Sequence, residues 1–302
     1  MIDLWIIITL SAVFFQNIRS AVQKSLNFKV STTAATFVRF AFGFPFAICI
    51  LFFIYNLDNH KFPEPNVIFI HSFITGGIAQ IFGTILLLSA FKYRNFAVAT
   101  AYSKTEPILA LLFSIIILKE IFSKSSVLAL FIGLIGIFLL TISRSKINLK
   151  ALISSFYNKS ALLGILAGAM FAFSAVFFRR ASLSLDSNSF ILSAAYTLAF
   201  VSTFQAVIMA IYLKIFQSSQ INLVFKFWKP SLIAGISGIL ASLCWFSAIT
   251  IQNVAFVRAL GQIELVLSVI VSIVFFREKC SWLEIFSMIV VSAAIWILLL
   301  ER

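Results

Sequence analysis

The chain has 302 residues, of which 62% are hydrophobic and 11% charged, with a formal net charge of +13 and a mean hydropathy of +1.09. A soluble domain is about half apolar and a quarter charged, so this composition excludes an ordinary soluble protein and places the chain in a membrane. The basic excess lies mostly in short loops between apolar segments, where its partners are anionic lipid headgroups and not nucleic acid.

A helix needs about 20 apolar residues to cross the hydrocarbon core. Ten segments meet that length: 4–24, 32–56, 67–91, 96–118, 125–143, 160–180, 189–213, 230–250, 255–276 and 281–300. They are continuously apolar, which suits helices and not the alternating strands of a barrel. The expected fold is an all-α membrane protein of ten transmembrane helices. The N-terminus, MIDLWIII, lacks a basic region and a small-residue cleavage site, so it reads as the first span.

An ionisable group at the bilayer centre costs roughly 2.5–3.5 kcal/mol. Four cations (Arg19, Arg39, Lys104, Arg258) and two acids (Glu106, Glu264) fall inside the spans. In the first span Gln16, Arg19 and Gln23 form an inward stripe with Asn17 beside it. Arg19 lies toward the end, where a long side chain can snorkel. In the second span Arg39 can grip a carboxylate bidentately or neutralise one of the acids.

The fourth span contains YSKTEP. Lys104 and Glu106 are two residues apart, so they cannot pair on one regular helix. Pro107 removes the hydrogen bond to the Ser103 carbonyl and kinks the chain. Such a segment suits the wall of a polar cavity, which Tyr102 would line. Segment 144–159 is basic and amphipathic and would lie on the membrane surface. It separates a first repeat, 1–143, from a second, 160–302.

The ninth span restates the fourth. Arg258 shares a face with Gln262, and Glu264 shares one with Ser268 and Ser272. Leu265 stands where Pro107 stands, so the backbone break is not expected to be duplicated, and Gly261, in place of Ser103, would permit some local distortion. Trp245, on the eighth span, is the aromatic placed to face a cavity, whereas Trp282 and Trp296 suit the membrane interface. Shifted by 158 residues, segment 90–120 matches 248–278 at nine of 31 positions without a gap. Asn95 meets Asn253, Glu106 meets Glu264, and Glu120 meets Glu278, which apolar bias alone rarely aligns. Each repeat has five spans, an odd number, so the second copy lies upside down. Inverted repeats build many secondary transporters, with the site at the repeat interface. Glu120 and Glu278 read as helix-terminal structural acids.

On these residues the chain resembles the drug/metabolite transporter superfamily, in its ten-helix EamA-type branch. The resemblance rests on the repeat, Arg39, Pro107 and the closing acids in LLFSIIILKE and VSIVFFREK. It implies a carrier of small polar or amphipathic metabolites, amino-acid-like or related, with export linked to protons. It also implies cytoplasmic termini, whereas the Lys/Arg bias of the loops, with Arg179 counted in one of them, favours the opposite orientation.

The expected site comprises Glu106 and Glu264 as proton or amine partners and Arg39, Lys104 and Arg258 as anion partners or counter-charges. Tyr102, Gln262, Asn17 and Trp245 would line it, and Pro107 and Gly261 would flex. The acids read equally as structural groups neutralised by the cations. No metal or cofactor motif is present, and the expected assembly is a monomer or homodimer in a prokaryotic inner membrane. A multidrug or cation efflux carrier of the same fold is the alternative. A channel and a membrane-embedded enzyme are more distant ones, since HExxH, GxSxG and intramembrane Asp pairs are missing.

Overall fold

The computed structural model describes residues 3–58, 61–90, 102–145, 159–267 and 281–300. Within the first half the helices are α1 (Leu4–Leu26), α2 (Thr32–Ala41), α3 (Phe44–Asp58), α4 (Val67–Ala90), α5 (Glu106–Phe113) and α6 (Lys124–Ser145). The second half holds α7 (Lys159–Ser184), α8 (Phe190–Phe216), α9 (Ser218–Lys226), α10 (Trp228–Ile251), α11 (Val254–Gly261) and α12 (Trp282–Leu300). Among the described residues eight spans are long and apolar enough to cross a membrane, with Thr32–Leu57 counted as one span made of α2 and α3. Glu106–Leu118 is a shorter apolar helix. Asn95, Ser268, Ser272, Glu278 and most of the amphipathic segment 144–159 lie outside the described residues.

The helix ends are set by local chemistry. The Ser31 hydroxyl accepts from the Ala34 amide at 3.2 Å, the Asn66 carboxamide from Phe69 at 2.8 Å, and the Ser123 hydroxyl from Ser126 at 3.0 Å. Ser281 and Glu284 cap α12 reciprocally, at 2.8 and 3.2 Å, which satisfies two otherwise orphaned donors. Between α2 and α3 the chain turns at Phe42–Gly43, because Pro45 has no N–H to continue the ladder. The short helix α9 was not legible in the sequence. The chain just ahead of it and its own first turn send Gln217 and Gln220 to the start of α2. Their side-chain oxygens accept from the Ser31 and Thr33 hydroxyls and the Ser31 amide, each at 2.7 Å.

Helix packing follows the repeat. α1 packs along α10, α4 along α7, α6 along α12, α2 and α3 against α8, and α5 against α11. Under the 158-residue shift α1 corresponds to α7 and α4 to α10. The α1–α10 and α4–α7 contacts are therefore one contact seen from each half, α6–α12 and α2/α3–α8 join elements to their own counterparts, and α5–α11 joins the fourth span to the ninth. Large apolar side chains such as Phe14, Phe52, Phe53 and Phe286 point outward, as do Trp282 and Trp296. Small residues and most of the buried polar groups point inward. This is the sidedness that lipid imposes.

Glycines mark the closest approaches. A Cβ on Gly136 would meet Val290 and Val291 at 2.9 Å, and one on Gly168 would meet the Ser103 carbonyl oxygen at 2.8 Å. At Gly235 it would lie 2.6 Å from the Phe42 carbonyl carbon and 2.9 Å from the Gly43 nitrogen. Backbone at the α2–α3 corner cannot rotate away. Gly235→Ala should therefore destabilise by about 1–3 kcal/mol. Gly133→Ala, whose nearest obstacle is the Ala294 methyl at 3.3 Å, should be near neutral. Thermal unfolding of the two purified variants, side by side, checks this contrast.

Candidate functional site

Two helices are broken at matching depth, and the site forms where they meet. In the first half, helical residues 102 and 103 give way to a turn at Lys104 and Thr105 before α5 begins. In the second, α11 ends at Gly261, Gln262 makes the turn, and helix resumes over 263–267. The backbones agree closely: Thr105 has φ −70° and ψ −7°, and Gln262 has φ −69° and ψ −9°. At each break the chain makes a tight three-residue bond, from Thr105 N–H to the Tyr102 carbonyl at 3.2 Å and from Gln262 N–H to the Ala259 carbonyl at 3.1 Å.

The break is thus duplicated although Leu265 replaces Pro107, which corrects the expectation from sequence. Proline imposes it in one half. In the other, Gly261 does not act as the pivot. It seats a ring, since a Cβ there would lie 2.6 Å from Trp245 Cη2. Pro107 itself lies in the first turn of α5, beside an apolar crevice against α6 that also takes in Ala129 and Gly133.

The breaks bring four of the six intramembrane charges into two crossed pairs. Lys104, in the first break, donates to Glu264 of the second half. Glu106, at the start of α5, has its Oε1 3.1 Å from Nε of Arg258 on α11. The second contact is a charge contact without an aligned hydrogen bond. The Arg258 guanidinium also lies 4.5 Å from the centre of the Trp245 ring, a cation–π contact. The acids are repeat mates but the cations are not: Lys104 matches Gln262, and Arg258 matches Thr100. Each half supplies one acid and one cation, and each pair spans the interface between halves.

All six charged groups line one cavity of about 220 Å³, bounded by both halves. Arg39, from α2, donates to the Ser242 hydroxyl at 3.1 Å. Trp245 donates from Nε1 to the Gln16 carboxamide oxygen at 2.9 Å, which fixes the indole as part of the wall. Gln80 lines the cavity too, held by the Gln205 amide at 2.9 Å. Asn17 is in the lining and is itself exposed.

Two expected lining residues are elsewhere. Tyr102 is buried in an apolar cluster with Ile142 and Ala161. Gln262 is buried and donates to the Arg258 carbonyl at 3.3 Å, outside the cavity lining. Counting four residues gives each a face, from Tyr102 to Glu106 and from Arg258 to Gln262, and in each case the count runs into the break. Arg19 is corrected in the other direction. It lines the cavity and does not snorkel, and among the described residues its Nε is buried without a hydrogen-bond partner. The sequence offered no signal for Gln80 or Ser242 beyond their polarity within apolar spans.

A second polar knot closes the bundle at one end. Arg179, counted from sequence as a loop residue, is within α7. It binds Glu120 at 2.8 Å through Nε, and through Nη1 it donates to the carbonyls of Ile249 and, at 2.7 Å, Gln252 at the end of α10. With its amide nitrogen toward Glu120, Asn253 donates to both carboxylate oxygens at 2.8 and 2.9 Å. Glu120 therefore ties the first half to the second and caps no helix, a role taken by Ser123. The chain reaches it by a π-helical turn, Ser114–Leu118, and a left-handed Lys119 with φ 55°.

Polar groups from both halves gathered at paired helix breaks inside a lipid-facing bundle form the kind of site expected of a transporter. None of the curated proteins compared with the chain matches it. Among 29 matching chains of solved structures, one crystal structure is 17% identical and superposes with a TM-score of 0.71, covering 100% of this chain and 98% of that one; it shares the fold. The EamA-like transporter family matches residues 3–142 and 158–300, one match for each half. The repeat, the apolar spans and this double match have a single reading: the chain belongs to the EamA-like transporter family and is an integral membrane transporter of the drug/metabolite transporter superfamily.

Proposed function

We propose that the chain is a secondary carrier of ten spans, arranged as two inverted five-helix repeats in a prokaryotic inner membrane. It moves a small polar or amphipathic organic metabolite by alternating access, with the halves rocking about the central cavity. The observation that carries this reading is the pair of crossed ionic contacts at matching helix breaks. Contacts of this kind link two bodies across one ligand-sized space, and because the acids are repeat mates each half keeps a carboxylate at the interface when the halves rock the other way. Within it Glu106 and Glu264 are the groups through which protons would be coupled to export. Lys104 and Arg258 are their counter-charges, and Arg39 faces the ligand.

The charge balance weighs against the alternative of a cation efflux carrier, since both acids are already matched by cations of the protein. A channel would leave the cavity open to both sides at once.

Access can be tested without knowing the ligand. Leu87 lines the cavity. In a background with Cys49, Cys244 and Cys280 replaced by serine, Leu87→Cys should react with an impermeant maleimide from either face of sealed vesicles. Cross-linking the halves near the Glu120–Arg179 knot should abolish labelling from that face and leave labelling from the other. Equal labelling from both faces whatever the cross-link would reject alternating access.

A further inference from the structure

The cavity holds more positive charge than the crossed pairs account for. Lys104 is matched by Glu264 and Arg258 by Glu106. Among the described residues the hydrogen bonds of Arg19 and Arg39 go to neutral hydroxyls. Arg39 is 5% exposed and donates to the Ser242 hydroxyl. Among the described residues Arg19 donates to the Ser20 hydroxyl, at 3.4 Å, and its Nε is buried without a hydrogen bond. A guanidinium does not escape this by losing its proton. With four cations and two acids among the described lining residues, the cavity has a formal charge of +2.

The two arginines also converge. A Cβ on Gly238 of α10 would lie 3.2 Å from Cγ of Arg39 and 3.3 Å from Cδ of Arg19. The stems of both side chains thus rest on one glycine, although they come from different helices. Bringing two like charges together in a low-dielectric site is costly unless a third group of opposite charge joins them. Planar donor forks aimed into one space suit a carboxylate or phosphate. The volume of about 220 Å³ is several times the roughly 30 Å³ share of one water, which suits an organic molecule better than a lone halide.

We infer that the transported ligand is a small organic anion whose carboxylate or phosphate is held by Arg19 and Arg39 over Gly238. This rests on the carrier reading above and specifies its substrate class. The crossed pairs serve as the electrostatic frame, and the two spare arginines bind. A Cβ at 238 would press on both stems at 3.2–3.3 Å, so glycine there lets the two forks sit close together.

The test is a binding titration on purified full-length protein in phosphatidylcholine nanodiscs at constant ionic strength. The probes are glutamate, succinate and glycerol 3-phosphate, with glucose and choline as neutral and cationic counterparts, and potassium chloride and added phosphatidylglycerol as separate arms. At least one organic anion should raise the unfolding temperature and bind saturably. Arg19→Gln and Arg39→Gln should each weaken that binding about ten- to a hundredfold. Arg19→Lys, which keeps the charge and loses the fork, should weaken it less and serves if a glutamine variant does not fold. The inference is overturned if no organic anion binds, if choline or glucose binds and survives both substitutions, or if chloride or phosphatidylglycerol alone accounts for the stabilisation. A protein that binds choline yet shows reciprocal Leu87→Cys labelling would overturn the anion and leave the carrier standing.

Discussion

Transport by a Glu106→Gln variant is expected to fall about a hundredfold or more while the protein remains inserted and monodisperse. Glutamine keeps the shape of the side chain and removes only its charge. Arg258 then keeps its stacking on Trp245 but loses its counter-ion. Removing one partner of a fully buried pair costs about 3–5 kcal/mol. Here both side chains keep 13–14% exposure and face a polar cavity, which places the cost lower, near 2 kcal/mol, within what a folded membrane protein tolerates. The effect on function is larger because Glu106 joins the two halves, and under the proposed alternating access it would change partners as they rock. The loss should appear in the maximal rate. Affinity for an anionic ligand should not weaken, because the cavity gains positive charge. Uptake measured in proteoliposomes over a range of ligand concentrations separates the two, and undiminished transport would remove the acid from the mechanism.

The crossed pairing makes a second, structural prediction. Lys104→Glu alone sets two carboxylates together at the interface, and Glu264→Lys alone leaves two ammonium groups with no acid between them. Each single reversal should strip most of the folded protein from the membrane. The double reversal, Lys104→Glu with Glu264→Lys, restores an opposite-charge contact of similar reach and should recover most of what either single variant loses. A coupling of about 2 kcal/mol or more between the two positions is expected for side chains in direct ionic contact. Thermal unfolding of the wild type, both singles and the double, closed as a cycle, gives that number. Additive losses would mean that Lys104 and Glu264 do not meet.

Much of this arrangement was legible beforehand, and particular residues show where legibility ended. The two-residue spacing of Lys104 and Glu106 already required each to find its partner on another helix. It did not say that the partners would be Glu264 and Arg258, since those contacts depend on how two broken helices approach each other. Tyr102 and Gln262 were placed on cavity faces by counting along a regular helix. A turn at Lys104–Thr105 and another at Gln262 shift that count, so both side chains point elsewhere. Arg19 was misread because α1 runs on to Leu26. Seven further residues at 1.5 Å each put it about 10 Å from the helix end, too deep to snorkel. Gly261 was read as flexible, and the reason for it proved to be the Trp245 ring.

The sequence alone determined the membrane class, the helical secondary structure, the repeat and the six charges within the spans. Each of these follows from composition, or from the cost of exposing backbone and charge to lipid, and that cost acts on residues one at a time. The tertiary structure decided which charges cancel and which two remain. That balance depends on distances between helices far apart in the chain, and no spacing along a single helix encodes them.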